Sequence, residues 1–137
     1  MRVESFLDTN VLVYAAAGKG PDEAKRRLAL GLLESEDFGL SAQVLQEFYV
    51  TVTRKISVPM TPAAATEWLE QFEAFPCLPV DSALVKTAIV SSVRWGVSYW
   101  DGAILAAAEA LGAKTVYSED LADGRTYGAV RVCNPFQ

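Results

Sequence analysis

The segment that decides the fold lies near the N-terminus, where residues 3–17 have the sequence VESFLDTNVLVYAAA. Val3 to Leu7 is short and mostly apolar, which predicts a buried strand, and the apolar run Val11 to Ala17 predicts a helix. Between them stands Asp8-Thr9-Asn10, three residue types that favour helix N-termini. The segment therefore predicts a strand that passes through a polar turn directly into a helix.

The rest of the chain repeats this alternation of strand and helix. Further short apolar strands are predicted at residues 38–40, 78–80, 114–117 and 130–132, and helices at residues 24–33, 42–54, 62–74, 83–95 and 98–111. Such alternation is typical of the α/β class, in which helices cover both faces of a parallel sheet. A length of 137 residues suits one domain over residues 1–137.

The absence of histidine narrows the possible chemistry more than any other feature of the composition. The chain contains no histidine at all, which excludes Ser–His and Cys–His nucleophile pairs and metal-free, histidine-driven RNA cleavage. An enzyme with this composition must draw its acid–base chemistry from carboxylates, lysine, tyrosine or a metal-bound water.

The charge and the cysteines bear on the partners and the compartment. A net charge of −5 counts against a broad basic surface for nucleic acid; bound divalent cations would offset much of it. The basic runs Lys25-Arg26-Arg27 and Arg54-Lys55 are explained as simply by solvated helix faces. Cys77 and Cys133 form no CxxC motif, which fits a reducing compartment.

Membrane insertion and secretion are not expected from this sequence. No apolar run approaches the roughly 18 residues that a membrane helix needs. The apolar stretch near the N-terminus is interrupted by Asp8 and Asn10. A signal peptide would begin with a positively charged region, whereas this sequence has the acidic Glu4 there. We therefore expect a cytoplasmic protein without a membrane partner.

Two acids follow the first two predicted strands. Asp8 comes directly after the first, where it suits either a metal site at the strand end or a simple N-cap of the next helix. Glu47 lies within two turns of the second strand, on the flank of the apolar stripe of its helix, a position that an ordinary solvated glutamate also occupies. The carboxyl ends of parallel strands meet at one sheet edge, so these acids are candidates for one site.

Two further acids complete the candidate set. Asp101 shares a helix face with Ile104 and Leu105, where a carboxylate needs a partner or a metal, although Ser98 to Asp101 also fits a capping box. Asp120 follows the fourth strand next to Ser118, and Glu119 and Asp123 compete with it for any role. We predict that all four acids converge.

Oxygen ligands without histidine or a thiolate cluster select Mg²⁺ or Mn²⁺ over zinc or copper. In the predicted site, Asp8 and Asp101 hold the ion, Glu47 and Asp120 complete the acidic set or position water, and Thr9 orients the group. A metal in such a site activates water and stabilises the charge that develops on a phosphodiester, which predicts a hydrolase for this bond.

Four sequence blocks together resemble the PIN-domain nucleases, and among these the VapC-type toxins of toxin–antitoxin pairs. The blocks are FLDTNVL at residues 6–12, SAQVLQEF at 41–48, SYWD at 98–101 with ILAAA at 104–108, and SEDL at 118–121. They cover essentially the whole chain in order. Gly102 departs from expectation, because a larger residue would favour the helix more.

The resemblance implies a three-layer α/β/α fold with a five-stranded parallel sheet, Mg²⁺ or Mn²⁺ dependence, and endonucleolytic cleavage of structured RNA such as tRNA or rRNA. It also implies a homodimer and a cognate antitoxin that covers the site. Residue by residue, the family's acids fall on Asp8, Glu47, Asp101 and Asp120, with Asp123 open as a substitute for the fourth. Thr9, Asn10 and Ser118 accompany them.

Other functions compete with this one. An aspartyl-phosphate enzyme with Asp8 as nucleophile would need an acid at position 10, where Asn10 stands, and a receiver-like phosphoacceptor would place a lysine after a late strand, whereas Lys114 precedes one. A catalytically inactive PIN-like module that binds only RNA or protein is the non-enzymatic alternative. Trp100 could stack a base, although a core position is the simpler prediction.

Overall fold

The computed structural model of the chain describes residues 2–137, in which strands and helices alternate as predicted. The strands are β1 (Ser5–Leu7), β2 (Phe38–Ser41), β3 (Cys77–Leu78), β4 (Thr115–Tyr117), β5 (Thr126–Tyr127) and β6 (Val130–Cys133). The α-helices are α1 (Thr9–Ala17), α2 (Glu23–Ser35), α3 (Ala42–Val50), α4 (Pro62–Phe72), α5 (Ser82–Trp95) and α6 (Tyr99–Ala110). Across the described residues, no helix is both long and apolar enough to cross a membrane.

The strands form one sheet in the order β3-β2-β1-β4-β6-β5, which confirms the predicted α/β class with a central sheet flanked by helices. The first five strands of this order run parallel, as expected. The prediction of a purely parallel five-stranded sheet is wrong at one edge, where β5 pairs antiparallel with β6. The added strand is only two residues long, too short for a periodic signal, and Gly128 at φ 62° begins its tight turn.

Polar caps and glycine fix the helix ends where the sequence predicts them. Ser41 Oγ accepts a hydrogen bond from the Val44 amide at 3.3 Å, and Thr61 Oγ1 caps α4 in the same way. Gly96 ends α5 in the left-handed conformation at φ 65°, which glycine adopts without steric cost. These local signals set the direction in which each helix leaves the sheet.

The helix after β2 is shorter than predicted. Instead of continuing regularly to residue 54, α3 ends at Val50 and passes into a π-helical turn over Thr51–Lys55. Threonine and valine are β-branched and crowd a regular helix, and Thr53 Oγ1 donates to the Tyr49 carbonyl oxygen at 2.7 Å. This π-helical turn has a wider backbone than an α-helix. It begins just beyond Glu47 and leads into residues 56–60.

The core lies around the central strands and supports the edge of the sheet at which β1 and β4 end. Its fully buried large side chains come from the strands and from the helices packed on them, and they include Phe6, Leu7, Leu12, Phe38, Leu40, Val44, Phe48, Leu111 and Val116. Residues Gly102 to Ala108 of α6 are buried as well. The polar residues that follow β1 and β4 therefore stand on a tightly packed base.

Candidate active site

The Asp8 side chain is buried at the carboxyl end of β1, only 6% exposed. Its Oδ1 accepts a hydrogen bond from the Thr9 amide at 2.8 Å, so Asp8 does cap α1. Its Oδ2 accepts from Ser118 Oγ at 2.7 Å, across the sheet from the end of β4. Of the two alternatives that the sequence offered for Asp8, the N-cap is therefore present, and the metal site stays a prediction.

The electrostatic environment of Asp8 disfavours its charged form. Burial raises the pKa of Asp8 from an ordinary 3.8 to about 6, the hydrogen bonds from Ser118 and Thr9 oppose this rise, and the charges of Asp120 and Glu47 add to it. Desolvation is the larger cause. A cation among these carboxylates would reverse the effect, because it stabilises the ionised forms.

Asn10 joins helix α1 to the loop that follows β4. Its Nδ2 donates to Asp120 Oδ2 at 3.2 Å, and its Oδ1 accepts from the Glu119 amide at 3.2 Å. Ser118 Oγ in turn accepts from the Asp120 amide at 3.1 Å. Asp120 itself is exposed, so the network fixes its backbone and orients its carboxylate while leaving that group accessible to a ligand.

The other two acids of this loop are engaged elsewhere. Lys25 Nζ lies 2.6 Å from Glu119 Oε1 and 3.2 Å from the Tyr14 hydroxyl. Burial raises the pKa of Glu119, but the hydrogen bonds from Lys25 and Tyr14 and the charge of Lys25 outweigh it, so the pKa is lowered. Asp123 Oδ1 accepts from the Asn134 amide at 2.9 Å and lies exposed on the surface. Asp120 is thus the acid of this loop that faces Asp8.

Glu47 lies half-buried on α3 and is held by a residue that the sequence did not single out as a site residue. Gln43 Nε2 donates to Glu47 Oε1 at 2.8 Å and to the carbonyl oxygen of Trp100 at 3.3 Å. Gln43 therefore bridges α3 and the first turn of α6. The i,i+4 spacing of Gln43 and Glu47 was a visible signal, whereas the contact with Trp100 was not.

Asp101 occupies the first turn of α6 and is half-exposed. Ser98 Oγ accepts from its amide at 3.1 Å, which gives one half of the capping box. Over residues 2–137, the carboxylates that raise the pKa of Asp8 are Asp120 and Glu47, without Asp101. The charges of Glu47 and Asp120 therefore act on Asp8, whereas the link to Asp101 is indirect and runs from Gln43 to the backbone of Trp100.

The two sequence neighbours of Asp101, Trp100 and Gly102, differ from the sequence-based expectations in exposure and in packing. A Cβ atom on Gly102 would lie 2.8 Å from the Ala88 carbonyl oxygen and 2.8 Å from Ser92 N and Cβ. Glycine at this position therefore allows α6 to approach α5 closely, which explains the departure noted in the sequence. Trp100 is 63% exposed, so the prediction of a core position is wrong. The start of α6, where Ser98 is exposed as well, is covered less than the buried stretch from Gly102 to Ala108.

The donor chemistry of the site fits a hard divalent cation. Thr9 Oγ1 is buried, and within residues 2–137 it is the buried side-chain oxygen that lacks a hydrogen-bond partner. In that same part of the chain, no three acidic or thiol side chains stand close enough together to hold a metal ion. Mg²⁺ commonly takes one or two direct carboxylates and keeps several water ligands, and the oxygen atoms of Asp8 and Thr9 are donors of the type that it binds.

A cleft of about 910 Å³ opens beside these residues. Asn10, Glu47 and Asp120 are among the residues that line it. Its walls come from α1, from the turn after α1 and from the loop that follows the π-helical turn, with Val13, Lys19, Ile56, Val58 and Met60 among the lining residues. A chain segment in this cleft would therefore lie against Glu47 and Asp120.

Comparison with known proteins gives a consistent answer. Residues 5–123 match the family model of the PIN domain. VapC20 of Mycobacterium tuberculosis, described as a sarcin–ricin-loop-cleaving toxin, superposes with a TM-score of 0.67 at 20% identity, covering 85% of this chain and 90% of that one. No curated protein sequence matches significantly.

Two further solved structures are similar along nearly their full length. A toxin–antitoxin complex from Klebsiella pneumoniae contains a chain with a TM-score of 0.72 at 16% identity, covering 96% of this chain and 98% of that one. A DNA-bound VapBC from Salmonella typhimurium gives 0.60 at 19% identity, with 95% and 96% covered. At these identities the structural likeness establishes a shared fold.

Proposed function

The chain belongs to the PIN domain family, and from this premise we propose that it is a divalent-metal-dependent endoribonuclease, the toxin of a toxin–antitoxin pair. The observation that carries the proposal is the buried Asp8 carboxylate, whose pKa is raised to about 6 and on which the charges of Glu47 and Asp120 act, two acids that line an open cleft. A buried carboxylate among like charges lowers the stability of the fold, and a bound cation would offset this cost.

We assign the residues of the site to separate tasks. Asp8 and Asp101 would hold Mg²⁺ or Mn²⁺, with the unpartnered Thr9 hydroxyl next to Asp8 as a further oxygen donor. When bound, the metal supplies Lewis acidity and a water of lowered pKa for attack on a phosphodiester. Glu47 and Asp120, which line the cleft, would orient water and accept protons. Asn10 and Ser118 hold Asp120 and Asp8 in place.

The proposed substrate is structured RNA such as tRNA or rRNA. One structural neighbour is described as a sarcin–ricin-loop-cleaving toxin, which makes ribosomal RNA a natural first substrate to test. The net charge of −5 requires that RNA be held through the metal and a few local cations rather than a broad basic surface. Lys19, which is exposed and lines the cleft, is one such cation.

We propose an antitoxin as the protein partner. The neighbour from Klebsiella pneumoniae is itself part of a toxin–antitoxin complex. The cleft offers the apolar side chains of Val13, Ile56 and Met60 next to the acids, so a partner segment that buried them would also block the site. The test is whether the product of the adjacent gene copurifies with this chain and inhibits it.

A homodimer is the proposed assembly. On α5, the side chains of Ile89, Val90 and Val93 are 48%, 65% and 79% exposed, and an apolar patch of this kind can bind its own copy across a two-fold axis. Light scattering should give the mass of a dimer for the wild type and of a monomer for Val93→Lys. A monomeric wild type would overturn this assignment without touching the proposed nuclease.

The deciding experiment is an RNA cleavage assay on the purified chain free of any partner. Total tRNA and rRNA are incubated with Mg²⁺, Mn²⁺ or EDTA, for the wild type and for Asp8→Asn and Asp101→Asn. Glu109→Gln is the control, because Glu109 lies exposed at the far end of the same helix as Asp101. We expect discrete fragments that require metal, persist in the control and fall at least about 100-fold in both site variants.

Other outcomes point to the alternative. If the wild type leaves every RNA intact but calorimetry shows Mn²⁺ or RNA binding, the inactive RNA- or protein-binding module becomes the better interpretation. If cleavage survives EDTA or the Asp8→Asn substitution, the activity does not come from the carboxylate–metal site.

A further inference from the structure

We propose that Gln43 is a positioning residue that fixes the Glu47 carboxylate and ties it to the helix turn that carries Asp101. The inference rests on the proposed nuclease function and adds to the site a residue that is neither acidic nor part of the cleft lining. Gln43 acts through Glu47 and through the backbone of α6, so it is not a catalytic residue.

Burial and hydrogen bonding carry the argument. Gln43 is only 7% exposed, which is unusual for a glutamine and costs free energy unless its polar atoms are satisfied. Its Nε2 has two hydrogens, and the two acceptors within reach are Glu47 Oε1 at 2.8 Å and the Trp100 carbonyl oxygen at 3.3 Å. Because the amide group is planar, the two acceptors are held in a fixed relation to each other.

The neutral amide distinguishes this arrangement from the one around Glu119. Lys25 holds Glu119 with a full charge at 2.6 Å, which neutralises that carboxylate. Gln43 holds Glu47 with a dipole and bonds to Oε1, so the charge of Glu47 stays available to the site. A lysine at position 43 would orient Glu47 equally well but would compete with a cation for it.

The second bond links the helix that carries Glu47 to the helix turn that carries Asp101. Trp100 directly precedes Asp101 in the first turn of α6, and its carbonyl oxygen is the acceptor that Gln43 reaches from α3. A shift of the Gln43 amide would therefore move Glu47 and the start of α6 together. One side chain sets the spacing between two acids that lie 54 residues apart in sequence.

The test measures Mn²⁺ binding by calorimetry on the metal-free chain. Gln43→Met keeps the length of the side chain and removes both donors. Gln46→Met makes the same change at an exposed glutamine three residues further along α3. We expect a dissociation constant about 10–100-fold weaker for Gln43→Met, the usual effect of losing a residue that orients a ligand, and a change below about twofold for the control.

A double-mutant cycle tests whether the effect passes through Glu47. In the Glu47→Gln background, Gln43→Met should weaken Mn²⁺ binding by a clearly smaller factor than in the wild type, because the part of the effect that passes through Glu47 is already gone and only the part that passes through α6 remains. Gln43→Leu, which also removes both donors and adds no charge, gives a second measurement of the same loss if the methionine variant is poorly folded, as thermal melting without metal would reveal.

The outcomes separate this inference from the function on which it rests. Wild-type Mn²⁺ affinity in Gln43→Met and Gln43→Leu, or the same loss in both backgrounds of the cycle, would overturn the positioning role while leaving the nuclease intact. A wild type that neither binds Mn²⁺ nor cleaves RNA would overturn the proposed function and the inference with it.

Discussion

The two sides of the candidate site are built in different ways. On the sheet side, after β1 and β4, the residues Asp8, Asn10, Ser118 and Asp120 are joined by side-chain hydrogen bonds on a buried base. On the helix side, Glu47 and the turn before Asp101 are joined by Gln43. The sheet side thus holds a desolvated charge in a stiff frame, whereas the geometry of the helix side depends on a single glutamine.

The largest expected effect concerns the desolvated charge of Asp8. The folded protein binds the Asp8 proton more tightly than the unfolded chain, because burial raises the pKa from 3.8 to about 6. The buried Asp8 charge therefore lowers the free energy of unfolding by its full amount above pH 6. This penalty shrinks as the pH falls and is gone below pH 3.8. Two units correspond to about 3 kcal/mol.

Urea unfolding of the metal-free chain and of Asp8→Asn between pH 7.5 and 4 measures this difference. We expect the wild type to gain up to about 3 kcal/mol relative to the variant as the pH falls, and Mn²⁺ at neutral pH to stabilise the wild type alone. If the free energy of unfolding depended on pH in the same way in both proteins, burial of the Asp8 carboxylate would not destabilise the fold. The contrast between the sheet side and the helix side of the site would then disappear.

The second prediction separates two neighbouring acids on the sheet side. Asp120→Asn should lower RNA cleavage about 10–100-fold, because Asp120 faces Asp8 and the cleft. Asp123→Asn should leave the rate within about twofold, since an asparagine oxygen can still accept from the Asn134 amide as Asp123 does. Rates from single-turnover assays decide the matter; a reversed pattern would make Asp123 the fourth acid.

The third prediction tests the packing behind the helix side. Gly102→Ala places a methyl group 2.8 Å from the backbone of α5 and should cost at least about 1 kcal/mol of unfolding free energy. Gly31→Ala, in the middle of α2 with open space around it, should stabilise the protein by about 0.5–1 kcal/mol. Denaturant unfolding gives both values, and equal effects would show that α6 can shift freely.

The smallest effect is expected at the ion pair behind the loop after β4. Lys25 and Glu119 are both about one-third exposed, so solvent screens the pair, and Lys25→Met should cost less than about 1 kcal/mol in thermal melts. The rate of RNA cleavage should also fall slightly, because Glu119 without its lysine partner then competes for the cation. A loss of several kcal/mol would mean that this pair, rather than the Asp8 network, stiffens the sheet side.

The sequence predicted the sheet side better than the helix side for a physical reason. Asp8 and Asp120 follow strands within a few residues, so strand topology alone brings them together. Asn10 and Ser118 stand next to them and share that placement. The additional strand β5 escaped prediction because two residues give no periodic pattern. Whether the four acids form a metal site stays a prediction.

The helix side depends on contacts between elements far apart in the chain, which no local pattern encodes. The bond from Gln43 to the Trp100 carbonyl oxygen spans 57 residues and ends on backbone, so no residue type marks it. The requirement for glycine at position 102 becomes visible only when α5 lies against it. Trp100 was predicted to be buried from its helical position, but exposure depends on which neighbours pack on that turn.

The edges of the sheet have a consequence for how the chain meets other chains. One edge strand, β3, is two residues long and lies between Pro76 and Pro79, and the other, β5, is equally short. Proline and short length leave little free backbone for another strand to pair with. Aggregation by strand addition is thereby discouraged, so a concentrated solution of the chain should resist fibril formation, and its associations should run through side chains instead.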